Sequence, residues 1–163
     1  GLYYNKTAFA KAGIKQPPRT WGEFEADAKR LAEAGSRVRL VKCAYKAPAE
    51  AAYDQKHATD KAYVRILKTL MEGEGYPMIG SHDPRLISIA QELAHKAGRK
   101  LDEYEFQMLY GIRGDEHLRL AAEGHRMRVY TAYGTDWYGY FMRRLAEKPA
   151  NLRFFLRSMV SKG

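Results

Sequence analysis

With a single cysteine, Cys43, the chain has no internal disulfide framework and no multi-cysteine zinc site. That usage fits a reducing compartment. No apolar run is long enough to span a bilayer, and the opening Gly1-Leu2-Tyr3-Tyr4-Asn5-Lys6 does not read as a signal peptide. No G-x-G-x-x-G follows a strand: Gly73-Glu74-Gly75 lacks the third glycine and precedes one. Walker loops and G-x-S-x-G elbows are missing too. The net charge of +9 would suit nucleic acid or an anionic membrane surface. Its cations, however, are interleaved with acids, as in Glu25-Ala26-Asp27-Ala28-Lys29-Arg30. Such scatter is a solvated surface. With no zinc-finger spacing, RNP-like strand or sustained basic helix, no nucleic-acid partner is expected.

What is present is a strand–helix alternation. Ala8 to Gly13 suggests a short helix, broken by Pro17-Pro18. Thr20-Trp21-Gly22-Glu23 forms a capping box ahead of a helix with Trp21, Phe24, Ala28, Leu31 and Ala32 on one face, closed at Gly35. Arg37 to Lys42 alternates as a strand, with Val38 and Leu40 sharing a face. A helix follows with Tyr63, Ile66, Leu67, Leu70 and Met71 as its stripe. Tyr76 to Gly80 is a second strand, and Asp83-Pro84 starts a helix as N-cap and first residue. Its stripe is Leu86, Ala90, Leu93, Ala94 and Ala97, with Gly98 closing it. Tyr104 to Tyr110 is the third strand, Asp115 to Glu123 a short helix, and Arg126 to Thr131 the fourth strand. Asp136 caps a helix to about Lys148, and Asn151 caps a last one. The order is that of an α/β protein with a parallel sheet. Four such units make either a small doubly wound sheet or half of an eight-unit barrel, which takes about 250 residues. Periodicity leaves both open.

Three groups of residues carry chemistry. Tyr140, Arg143 and Arg144 share a helix face, where two guanidinium forks can converge on one carboxylate. The plain alternative is an exposed helix end. Arg39 and Lys42 make sense at the carboxyl end of a strand, where they could stabilise a reduced cofactor or bind a phosphate; otherwise they are snorkelling surface groups. Gly80-Ser81-His82-Asp83-Pro84 is a strand-to-helix turn suited to a phosphate-bearing ligand, or simply a capped turn. No second histidine or carboxylate lies at ligand spacing there, so no metal is expected. The apolar strand-end setting of Cys43 reads as a small buried hydrophobe.

Taken in order, Arg39-Leu40-Val41-Lys42-Cys43-Ala44-Tyr45, Gly75 through Arg85, Tyr104 through Gly111, and Tyr130 through Leu145 resemble proline dehydrogenase over residues 35–163. The resemblance implies a partial (βα)8 barrel, the last four βα units, preceded by a helical segment of residues 1–34. It implies noncovalent FAD and the oxidation of L-proline to Δ1-pyrroline-5-carboxylate. A quinone would accept the electrons, which suits a cytoplasmic protein peripheral to the inner face of a membrane. By the same resemblance Arg143 and Arg144 hold the proline carboxylate and Tyr140 covers the substrate. Tyr130 and Leu109 line the pocket, and Arg39 stands beside the flavin as the catalytic group. Lys42, Cys43 and Ala44, and Ser81 with His82, match flavin-contacting stretches. Cys43 stands where the family usually has glycine, and Ser81 where it often has threonine. Four strands of an eight-stranded barrel leave open edges, so self-association is a further expectation. Residues 1–30 instead resemble an internal segment of the extracellular solute-binding proteins of sugar ABC transporters. The other readings are therefore a fragment of such a binding protein or a noncatalytic barrel remnant.

Overall fold

The computed structural model describes residues 4–42, 56–135, 138, 139 and 142. The chain divides into two units, Gly1–Tyr130 and Thr131–Gly163. The first holds α1 (Lys6–Lys11), α2 (Trp21–Glu33), β1 (Arg37–Val41), α3 (Lys56–Glu72), β2 (Tyr76–Gly80), α4 (Pro84–Lys96), β3 (Glu105–Leu109), α5 (Gly114–Ala122) and β4 (Arg126–Tyr130). The helices expected from Asp136 and Asn151 lie outside the described residues.

All three strand pairs are parallel, and the sheet order is β1-β2-β3-β4. A doubly wound sheet reverses its strand order at a switch point. This one runs in sequence, as consecutive strands of a barrel do, and the architecture is that of a partial barrel. The choice that periodicity left open is made by strand order.

Local chemistry explains where the elements begin and end. Thr20 Oγ1 accepts the Glu23 amide at 3.2 Å while Glu23 Oε2 accepts the Thr20 amide at 3.2 Å, the reciprocal capping box. At the far end of α2, the Ser36 amide donates to the Leu31 carbonyl and that of Gly35 to Ala32. This closure needs a left-handed residue, and Gly35 supplies φ of 69°. Asp83 caps α4 by accepting the Arg85 amide at 3.0 Å, and Pro84 occupies the first turn.

The core lies between the helices and one face of the sheet. Leu40, Ile79, Phe106 and Met108 meet Tyr63, Ile66, Leu67, Leu70 and Met71 of α3 and Leu86, Ile87, Ala90 and Ala94 of α4. The expected stripe of α3 is fully buried, and Ile87 joins that of α4. Helix α2 contributes Ala28 and Ala32 to the same cluster. Its Glu25 also pairs with Arg65 of α3 at 2.8 Å.

Small residues set the spacing between α2 and the end of α3. A Cβ on Gly73 would lie 2.6 Å from Ala32 Cβ, and one on Gly75 would lie 2.5 Å from the Ser36 carbonyl oxygen. Either alanine substitution should destabilise the protein by roughly 2–3 kcal/mol through overpacking. The two differ in their cure. Ala32→Gly should restore the urea midpoint of Gly73→Ala, whose clash is side chain on side chain, but not that of Gly75→Ala, which strikes main chain. Equal rescue of both would contradict this packing.

Candidate functional site

Alternation along each strand sends half the side chains away from the helices. On β1 these are Arg37, Arg39 and Val41, on β3 Glu105, Gln107 and Leu109, and on β4 Arg126, Arg128 and Tyr130. This second face is polar. At its centre sits the buried Glu105, which accepts Arg128 Nε at 2.7 Å and Nη2 at 3.0 Å. It also accepts Arg37 Nη2 at 3.3 Å, the Tyr76 hydroxyl at 3.3 Å and Gln107 Nε2 at 2.5 Å. Arg37 lies over the Tyr76 ring, 4.2 Å from its centroid. Gln107 Oε1 in turn accepts Arg39 Nε at 2.5 Å. Arginines from both outer strands thus converge on one strand between them.

Hydrogen bonding from Arg128 lowers the Glu105 pKa to about 2 from its ordinary 4.5, with Gln107 and the charges of Arg128 and Arg37 adding to it. The unfolded chain then holds its proton at higher pH than the folded one does. The contribution is full above about pH 5 and is lost as pH falls toward 2. Because Arg37 and Arg128 are more than half exposed, we expect about 1–2 kcal/mol rather than the full linkage value. Urea melts at pH 6 and pH 3 should show this slope, and Glu105→Gln should flatten it. An unchanged slope would remove Glu105 as its source.

Of the expected site residues that are described, Lys42, Ser81, His82, Leu109 and Tyr130 lie at the carboxyl ends of the strands, while Arg39 lies in the middle of β1. Ser81 is buried in the β2–α4 turn, and its Oγ accepts the Asp83 amide at 3.1 Å. His82 Nε2 accepts the Leu109 amide at 2.8 Å, which places the ring proton on Nδ1. The His82 carbonyl accepts Arg113 Nη1 at 2.7 Å, so two adjacent strand-end turns are tied together. Arg113 itself adopts φ of 55°, the left-handed region, between Gly111 and Gly114. The Tyr130 carbonyl accepts the Tyr110 amide at 2.9 Å, leaving the Tyr130 side chain 53% exposed at the end of β4. Lys42 Nζ pairs with Asp60 and lies 3.7 Å from Asp83 Oδ2; Arg85 bonds to both carboxylates. The Lys42 ammonium is therefore held on the helix side. Of the other expected site residues, Cys43, Ala44, Tyr140, Arg143 and Arg144 lie outside the described residues.

Sequence reasoning assigned no role to Glu105, Gln107, Arg37 or Arg128. The signal was available: polar residues at spacing two on three strands, cationic on two and anionic on the one between. A cavity of about 430 Å³ lies at the opposite end of the sheet, lined by Gly73, Gly75, Tyr76, Arg99 and Asp102. It is remote from the strand ends where catalysis sits in such sheets. Among the described residues, no helix is long and apolar enough to cross a membrane.

Comparison with known proteins places most of the chain in one family. The model of the family described as proline dehydrogenase matches residues 19–157. Proline dehydrogenase 2 of Bacillus subtilis (strain 168) is 43% identical over 138 residues, which are 85% of this chain and 46% of that protein. The chain therefore spans less than half the length of that relative. The crystal structure of proline utilization A from Bdellovibrio bacteriovorus, inactivated by N-propargylglycine, superposes with a TM-score of 0.65 at 28% identity. It covers 77% of this chain, which matches 14% of that one. A short stretch is also similar to the sn-glycerol-3-phosphate-binding periplasmic protein UgpB of Yersinia pestis bv. Antiqua (strain Antiqua), 60% identical over 37 residues. That is 22% of this chain and 8% of the binding protein. Its share and that of the Bacillus relative together exceed the chain, so the two similarities overlap.

Proposed function

The chain belongs to the proline dehydrogenase family, and from that premise we propose that it is part of an enzyme that binds FAD noncovalently and oxidises L-proline to Δ1-pyrroline-5-carboxylate. The single observation that carries this reading is the family match over residues 19–157. The polar face of the sheet supports it physically. Arg39 stands at that face with its Nε–H committed to Gln107, and its remaining donors suit an electron-rich ring edge or a developing negative charge. Ser81 and the neutral imidazole of His82 fit the polar rim of the same ligand. Lys42, Cys43 and Ala44 complete the proposed cofactor contacts, at Lys42 through main chain, since its ammonium is already paired. FAD, when bound, supplies the two-electron acceptor that no side chain offers.

The chain's own residues bind and orient. Arg143 and Arg144 hold the substrate carboxylate as paired planar forks. Tyr140 covers the substrate ring, and Leu109 and Tyr130 are substrate-binding residues. No residue need abstract a proton from carbon, so positioning and charge placement are their work. A quinone is the proposed electron acceptor, reached by a cytoplasmic protein at the inner face of a membrane. The unpaired edges of β1 and β4 in the described sheet suit self-association.

Titration of the purified chain with FAD, then addition of L-proline, tests the reading. Saturable binding with loss of the oxidised flavin absorbance is the expected result. Failure of a folded sample to bind flavin would mark the chain as a noncatalytic remnant by itself. In a full-length relative, replacing the counterpart of Arg143 or of Arg144 by alanine should raise the proline KM at least about tenfold, since each charge-assisted bond contributes 1.5 kcal/mol or more. An unchanged KM in both variants would overturn the carboxylate assignment.

A further inference from the structure

Arg39 is a long, exposed side chain, and such a chain samples many rotamers unless something holds it. Holding it is Gln107, whose Oε1 accepts the Arg39 Nε–H from across the intervening strand β2. A glutamine amide can face either way, and the two ends are chemically opposite. Here the choice is forced. Gln107 Nε2 donates to Glu105 Oε1, so the amide oxygen must point at Arg39. Turned over, the amide would set its NH2 against a guanidinium and its oxygen against a carboxylate. Glu105 is fixed in turn, because both its oxygens are taken by Arg128 and one also by Arg37 and Tyr76.

We propose that Glu105 and Gln107 are positioning residues that act in series, the carboxylate orienting the amide and the amide orienting Arg39 toward the cofactor. This rests on the flavin-site reading of Arg39 given above. The arrangement uses the one N–H that lies along the arginine stem and leaves the terminal nitrogens to meet an acceptor beyond the sheet. Fixing the guanidinium in advance removes the ordering penalty that binding would otherwise carry. Neither residue touches the reacting atoms; each works through Arg39.

The purified chain allows the relay and the site reading to be separated. The first readout is the Arg39 Nε–H resonance in 15N-edited spectra, which needs no flavin. It should be protected from solvent exchange in the wild type and lose at least about tenfold of that protection in Gln107→Leu, the worth of one charge-assisted bond. The double variant Glu105→Gln with Gln107→Glu keeps an acceptor against Arg39 Nε and should recover part of it, although the new amide at 105 sets its NH2 beside Arg128 Nε. The second readout is FAD affinity and the absorbance envelope of the bound flavin. Gln107→Leu should weaken binding about tenfold and shift the envelope, and the double variant should bring both part of the way back. A purely structural role would change the urea midpoint and leave the Arg39 resonance alone. Unaltered protection of Arg39 Nε–H in Gln107→Leu, or in Gln107→Ala where the leucine variant does not fold, overturns the relay. Full flavin binding by Arg39→Met sinks the site reading instead, while the resonance still decides the relay.

Discussion

Replacing Arg99 by alanine should lower the stability of the protein by about 3 kcal/mol, a large loss for a residue outside the apolar core. The last carbonyls of a helix have no partner within it. At the end of α3 the Arg99 guanidinium supplies them: Nε donates to the Met71 carbonyl at 2.7 Å, and Nη2 to those of Leu70, at 3.1 Å, and Gly73. Nη1 reaches the Glu103 carbonyl at 3.3 Å, tying the α4–β3 loop to the same point. Gly98 makes this possible, since its φ of 69° turns the chain at the end of α4 and brings the next residue back across α3. The cation also sits where the helix dipole favours it. Arg99→Lys should recover less than half of the loss, because an ammonium cannot serve spread carbonyls as a planar fork does. Urea denaturation would measure both, and an alanine variant with the wild-type midpoint would show that water replaces the side chain without loss.

Phe106→Ala should cost still more, about 4 kcal/mol, the upper part of the range for emptying a core aromatic site. Phe106 is fully buried, the second residue of β3. Its ring meets that of His125 at 5.3 Å and that of Tyr104 at 5.8 Å, both edge to face. His125 Nδ1 lies 3.2 Å from the Tyr104 hydroxyl and Nε2 2.9 Å from Gln91 Nε2. Burial pushes the His125 pKa below its ordinary 6.5 despite the nearby Glu123. A base with a depressed folded pKa opposes folding as pH falls below the unfolded value, because the unfolded chain takes up the proton first. Emptying the Phe106 site admits water beside the imidazole, so its pKa should move back toward 6.5. The variant should therefore be less stable at pH 7 yet lose less of its remaining stability between pH 6.5 and 5. Histidine titration by NMR checks this, and an unmoved His125 pKa would show that the cavity stays dry.

The elements were legible because their signals are local. The capping box at Thr20, the Asp83-Pro84 start and the stripe of α3 each lie within a few turns of chain, and each forms as expected. Strand ends shift by a residue: Lys42 falls outside β1, where its ammonium finds Asp60 and Asp83. Strand order was not legible from pattern, since alternation says which face a residue takes and not which strand stands beside it. For the same reason Glu105 went without a role. A glutamate at the start of a strand reads as a solvated end, and only lateral pairing brings Arg37 and Arg128 to it from sixty-eight and twenty-three residues away. The turn of Ser81 and His82 was recognised as special, but the bond from the Leu109 amide to His82 depends on the same lateral placement.

The uninterrupted order of the strands bears on how the molecule comes together. Each strand of the described sheet pairs only with the strands before and after it, so within that sheet no contact waits for a distant segment to return. Loop-closure entropy then enters in small, similar steps, one unit at a time. Assembly can start at any neighbouring pair and spread outward, as in a stacked array in which each layer answers only to the adjoining ones. The seams between units are places where such a chain can be lengthened, divided or joined to another without re-pairing the strands that remain. Opening follows the same geometry in reverse. The amides of β1 and β4, each with one neighbour in the described sheet, exchange with solvent before those of β2 and β3, which are held from both sides.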